Sequence, residues 1–227
     1  MGNDLNAALL FMVGDFQVTL TVATTWGIMA LLGLLSWLAM RGRGTHPGFL
    51  QTAAEGLVTA LEDAIATAAP QHARELLPFI ATLWIYLVVA NLAGLVPGLD
   101  SPTRDISQTS ALAILVFFSV HWFGIRSQGL KNYLRHYLTP SPILLPFHLI
   151  SEATRTIALA IRLFGNMMSL EMAALLVLMV AGFLAPVPLL MLHVIEALVQ
   201  AYIFGMLALI YVAGGMQSQE LHQQKDD

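Results

Sequence analysis

Residues 147–184 read FHLISEATRTIALAIRLFGNMMSLEMAALLVLMVAGFL. As a single helix rising about 1.5 Å per residue, this stretch would be about 57 Å long, nearly twice the roughly 30 Å of bilayer hydrocarbon. It must therefore lie about 58° from the membrane normal, beyond the usual tilt of about 0 to 40°, or break near Gly165, or project one end into the cytoplasm. We take the oblique course as the expectation, because a helix that follows the curved side of a partner needs such length. At about 100° per residue, His148, Ser151, Arg155, Asn166 and Ser169 fall within about 40° of Arg162, so one polar stripe crosses an apolar helix. Glu152 borders that stripe, and Glu171 falls about 180° away from Arg162.

The rest of the chain has the same solvent. Of 227 residues, 57% are hydrophobic and 11% charged, against about 45 to 50% and about 25% in soluble domains. The expected class is an all-α integral membrane protein in one domain. After an external arm over 1–16, apolar runs long enough to span occupy 17–40, 76–97 and 107–123, followed by the long stretch 147–184 and a final helix over 187–213. Residues 48–67 differ: Leu50, Ala53, Ala54, Leu57, Leu61 and Ile65 recur at helical spacing, with Gln51, Glu55, Thr59, Glu62 and Asp63 opposite. That segment is expected as an amphipathic surface helix, too acidic on its polar face to favour anionic lipid. Pro140, Pro142 and Pro146 keep the loop after the third span from continuing as helix. A polar tail over 214–227 closes the chain. The first apolar run has no basic stretch before it and no A-x-A site after it, which predicts a retained anchor.

Basic residues set the orientation, since short cytoplasmic loops carry the excess. Five spans with the N-terminus outside place Arg41, Arg43, Arg74, Arg126, Lys131, Arg135 and Lys225 inside, and Arg104 alone outside. Arg155 and Arg162, within an apolar run, stand apart from that count. An arginine at mid-helix costs about 2.5 to 3.5 kcal/mol on insertion scales, so it ordinarily faces a cavity or a partner. Snorkelling to a headgroup explains Arg162 poorly, because Ile157 to Ile161 precede it and Leu163 and Phe164 follow. Arg155, seven residues nearer the cytoplasm, can snorkel or pair with Glu152. On the final helix, His193 and Glu196 lie within about 40° of Gln200, a second polar stripe. Two readings of His193 stand, a hydrogen-bonded packing residue and a proton relay. For Glu171 three stand: buried and neutral, a carboxyl in a water channel, or a partner of His193.

Several classes are excluded or disfavoured. A net charge of −4 and the absence of a basic cluster argue against nucleic acid. With no cysteine there are no disulfides, thiolate metal sites or cysteine nucleophiles. The sequence lacks both H-E-x-x-H and a nucleotide-binding loop, so neither a zinc protease nor ATP chemistry belongs to this polypeptide. A stand-alone secondary transporter or channel, with Arg162 holding a substrate anion, is the alternative. Inverted repeats and short discontinuous helices would favour it, and neither is visible.

The string Arg162-Leu163-Phe164-Gly165-Asn166-Met167 carries a resemblance. With the segment from His193 through Gln200-Ala201-Tyr202-Ile203-Phe204 to Tyr211, it resembles subunit a of the membrane sector of F-type ATP synthases. Asn91-Leu92 before Val96-Pro97, and Pro102, Asp105 and Thr109, resemble weaker motifs of that family, and the match runs from Gly48 to about Gly215. Three features depart from many members: His148 stands where they carry Glu, Gly94 where some carry Asp, and the short N-terminus with Glu196 looks closer to the sodium-associated bacterial branch. The resemblance implies a non-catalytic stator that couples H⁺ or Na⁺ flow to rotation, with no cofactor beyond the transported ion. Its implied partners are a ring of c subunits, b-type peripheral stalk subunits, the catalytic head and the lipid bilayer, in a bacterial inner membrane with the C-terminus cytoplasmic. On this implication His148, Ser151 and Glu152 line a cytoplasmic half-channel, and Asp105, Glu171, His193, Glu196 and Gln200 an outer one. Arg162 separates the two, and Asn166 and Gln200 hydrate the path or orient the arginine.

Overall fold

A computed structural model describes residues 9–13, 16–41, 48–96, 99, 101–129, 145–182, 185 and 187–226. The segment 1–8, the loop 130–144 with Lys131 and Arg135, Arg43, the Pro97-Gly98 turn and the side chains of His148 and Lys225 lie outside that description.

Among the described residues, six α-helices follow a short hairpin. Strands β1 (Leu9–Val13) and β2 (Phe16–Thr19) pair antiparallel and lead into α1 (Leu20–Arg41). The expected first span therefore gives its initial residues to a strand: Phe16-Gln17-Val18-Thr19 places β-branched and aromatic residues where a pleated pair suits them. Next come α2 (Phe49–Ala68), α3 (Ala73–Ala93), a 3₁₀ turn at Pro102–Arg104 and α4 (Ile106–Gln128). The long stretch forms α5 (Leu145–Ala181) and the last element is α6 (Val187–Asp226).

Five of these helices, α1, α3, α4, α5 and α6, are long and apolar enough to cross a membrane; α2 is not among them. Helix α5 runs unbroken through Gly165, which removes the alternative of a break there. It starts earlier than expected because Pro146 sits in its first turn, where the missing N–H has no helical partner to lose. It ends before Gly182, which takes φ +84°, and whose N–H donates to the Leu178 carbonyl at 3.2 Å. A glycine in that left-handed conformation is a common helix stop. The expected polar tail is instead a continuation of α6 through Asp226, where Gln, Glu and Lys are good helix formers.

The packed centre joins α3, α4 and α6, with Leu76, Ile80, Leu87, Val116, Phe204 and Leu209 almost wholly buried. On α6 the small residues Ala197, Ala201 and Gly205 repeat every four positions on the face turned to α3. Small residues allow membrane helices to approach closely. A Cβ built at Gly205 would stand 1.7 Å from the Trp84 ring nitrogen, so the indole of α3 occupies the notch that glycine leaves. The Trp84 N–H donates to the Tyr202 carbonyl at 3.4 Å, and the two rings stack at 6.1 Å. Helix α2 buries Ile65 and half-buries Leu61 and Ala64 beside α3, while Leu57 and Val58 are exposed.

Candidate functional site

Helix α5 has three faces. Leu159, Ala160, Leu163 and Met167 are buried against the bundle, whereas Ile157, Ile161, Leu176 and Met179 are exposed. The polar stripe occupies the flank between them, about 90° from the packed face. Arg162 stands there exposed, with no hydrogen bond or ion pair to any described residue.

One turn further, Asn166 is half-buried and its Nδ2 donates to Gln200 Oε1 at 2.7 Å, tying α5 to α6. Gln200 is 1% exposed, and its Nε2 has no partner among the described residues. A buried donor left unpaired costs about 1 to 3 kcal/mol, so this group is a place where water belongs. On α3, Asn91 is wholly buried; its Nδ2 donates to the Ala197 carbonyl at 3.0 Å, and its Oδ1 is likewise unpaired among the described residues. The Asn91 main-chain carbonyl lies 3.5 Å from His193 Nε2, at the outer limit of a hydrogen bond. His193 and Gln200 share one face of α6, so these groups form a buried polar string by position; the Asn91–His193 contact joins α3 to α6 and the Gln200–Asn166 bond joins α6 to α5, with no bond between the two contacts among the described residues.

Around that string the turn after α3 is held by side chains. Ser101 Oγ donates to the Ala90 carbonyl at 2.9 Å and shares a 2.8 Å bond with Thr103. A Cβ at Gly94 would meet Ser101 Cβ at 3.0 Å, a crowded approach, and His193 Nε2 at 3.8 Å, an ordinary contact. Asp105 is half-buried and caps α4, its Oδ1 accepting from the Ser107 N–H at 2.8 Å. Such a cap removes one of the unpaired donors at a helix start. Glu171 lies on the far face of α5, and its carboxylate pairs with the Arg104 guanidinium on the 3₁₀ turn. Of the three sequence readings of Glu171, pairing is observed, with Arg104 in place of His193. Glu196 is half-buried and bonded to no described residue.

Toward the start of α5, Glu152 and Arg155 stand 3.9 Å apart, and the Arg155 guanidinium lies 5.0 Å above the Tyr211 ring. Arg155 is thus held between a carboxylate and an aromatic face, where a cation is favoured. Ser151 is exposed.

The structure therefore brings Asn166 to Gln200 and Glu152 to Arg155, and leaves Arg162 apart on an open face. It adds two residues that the sequence reading gave no role. Asn91 was legible only as part of a weak Asn-Leu motif ahead of the Val96-Pro97 turn, and Arg104 only as the single basic residue of its loop.

Comparison with known proteins agrees with these observations. A family profile described as "ATP synthase A chain" matches residues 22–213. The chain is similar to "ATP synthase subunit a 2" of Pelobacter propionicus, 62% identical over 211 residues that cover 93% of this chain and 92% of that one. It is equally similar to "ATP synthase subunit a 1" of Hahella chejuensis, 62% identical over 217 residues, covering 96% and 92%. Similarity to "ATP synthase subunit a" of Legionella pneumophila is 53% over 219 residues, covering 96% and 95%. With the R-L-F-G-N-M string on a membrane-length helix, these matches make the chain a member of the ATP synthase A chain family, the non-catalytic subunit a through which F-type ATP synthases couple transmembrane ion flow to ATP synthesis or hydrolysis.

Proposed function

We propose that α5 and α6 form the stator face against which a ring of hairpin c subunits turns, with Arg162 between two aqueous half-channels that do not meet. The observation that carries the proposal is Arg162 itself: mid-helix, exposed, bonded to no described residue, and beside exposed Ile157 and Ile161. Against lipid it would cost about 2.5 to 3.5 kcal/mol, so that face calls for a cover offering carboxylates and water. A carboxylate carried past by the ring is such a group. Next to a guanidinium its ionised form is favoured, so it releases its ion there. Arginine suits the task because it holds its charge where a lysine can lose a proton. The same charge repels a leaking cation, and each charge that leaks dissipates about 2.3 kcal/mol per 100 mV.

His148, Ser151 and Glu152 would line the cytoplasmic half-channel; Asp105, Glu171, His193, Glu196 and Gln200 the outer one. Support for the outer path comes from the buried string of Asn91, His193 and Gln200, whose unpaired Oδ1 and Nε2 atoms are groups that water satisfies. The ion is H⁺ or Na⁺, selected by the ring's own carboxylate site. The wider assembly would include b-type peripheral stalk subunits and the catalytic head. The membrane would be the bacterial inner membrane, with the N-terminus outside and the C-terminus in the cytoplasm, a reading the basic-residue count supports.

Cross-linking tests the ring-facing surface. The chain has no cysteine, so Ile161→Cys, on the exposed face, should form a disulfide or short cross-link with a cysteine on the ring's outer helix. Leu163→Cys, at a position 0% exposed, should not. A complex that purifies without a ring, or an Ile161→Cys variant that captures only lipid-facing probes, would sink the stator face and favour the stand-alone transporter.

A further inference from the structure

Arg104 and Glu171 are 67 residues apart in sequence, yet their side chains meet where the 3₁₀ turn touches α5. Both are partly open, at 40% and 32% exposure, so the pair is not sealed inside the bundle. Glu171 lies nine residues beyond Arg162, about 13.5 Å further along the axis toward the Gly182 stop. The other ionisable groups at this end of the elements packed against α5 are engaged or apart. The Asp105 carboxylate caps α4, His193 is buried beside Asn91, and Glu196 is bonded to no described residue. A carboxylate at a channel mouth attracts entering cations, and a guanidinium held against it is already one, of fixed charge and with donors in a fork that fits a carboxylate.

We propose that Arg104 is a positioning residue that acts as a resident competitor cation in the outer half-channel, holding Glu171 while no ion is bound and yielding it to each ion that enters. This rests on the assignment of Glu171 to that half-channel. With Na⁺ one cation simply replaces another on the carboxylate; with H⁺ an O–H bond of hydronium breaks as one forms on Glu171, water is left behind, and the reverse transfer passes the proton onward, while the guanidinium keeps its own protons throughout. The competition keeps the site weak enough to release its ion onward, as any conducting site must be.

The test uses the intact complex in proteoliposomes, making ATP under a fixed potassium diffusion potential while the outer-side ion is varied, first as pH and then as Na⁺ at constant pH. Arg104→Gln should lower the half-saturating ion concentration about tenfold and leave the maximal rate within about twofold, since a competitor has gone but the path remains. Arg104→Lys, which keeps a charge, should stay within about threefold of the unmodified protein. In a Glu171→Gln background, Arg104→Gln should add nothing.

An assembled Arg104→Gln complex with an unchanged or raised half-saturating concentration overturns the proposal, as does a lysine variant no closer to normal than the glutamine one. Failure of both Arg104 variants to assemble also overturns it, because the arginine is then structural. If Glu171→Gln alone leaves the ion dependence unmoved, the outer-channel assignment of Glu171 is what fails.

Discussion

At the scale of single residues, the amide pair between α5 and α6 has unequal ends. Gln200 Oε1 is bonded to Asn166, and Gln200 Nε2 is bonded to no described residue. Asn166→Leu would leave both Gln200 atoms unpaired in a buried position, at a cost of about 1 to 3 kcal/mol. Asn166→Leu combined with Gln200→Leu removes both partners and should destabilise by clearly less than the sum of the single changes. Thermal unfolding of the detergent-solubilised complex reads this, and additive losses would show that the two side chains are not coupled. Arg162, Asn166 and Gln200 were legible in the sequence because a polar residue among apolar ones keeps its helical phase whatever packs around it. Arg104 and Asn91 were not. Their roles depend on the 3₁₀ turn lying against α5 and on α3 lying against α6, and spacing along one segment carries neither fact.

At the scale of elements, the same distinction separates helix identity from helix contact. The long helix was legible from its apolar length, and Gly165 does not interrupt it because a lone glycine within a helix costs only about 1 kcal/mol relative to alanine. Its boundaries moved by a few residues, since Pro146 is tolerated in a first turn and Gly182 supplies the stop. The strand ahead of α1 was missed because the apolar run continues through it without a change of composition. The seat of Trp84 against Gly205 could not be read in advance, because a notch in one helix means little until the facing side chain is known. Gly205→Ala places a methyl group where the indole lies, and overpacking of this kind costs about 1 to 3 kcal/mol or more. We expect a lower unfolding temperature and less assembled subunit, with partial recovery when Trp84→Leu is added. A Gly205→Ala complex as stable as the unmodified one would show that α3 and α6 stand further apart than described.

At the scale of the whole molecule, the longest apolar stretch carries a mid-helix cation, Arg162, that pairs with no described residue. Several polar side chains of the long helix are arranged in pairs: Asn166 with Gln200, Glu152 with Arg155, and Glu171 with Arg104 of the 3₁₀ turn. Arg162 lies outside that arrangement, on a surface of α5 that no described residue covers. A protein whose work ended within its own fold would leave an energetic liability there; a stator has a use for it, because the compensating carboxylates arrive on another chain. Arg162→Ala in the assembled complex is therefore the most direct measurement. With assembly verified by the presence of ring and head subunits, ATP synthesis driven by an ion gradient should fall by about a hundredfold or more, as when a fixed electrostatic group is removed from a reacting centre. Synthesis and ATP-driven pumping at normal rates in that assembled variant would contradict the account.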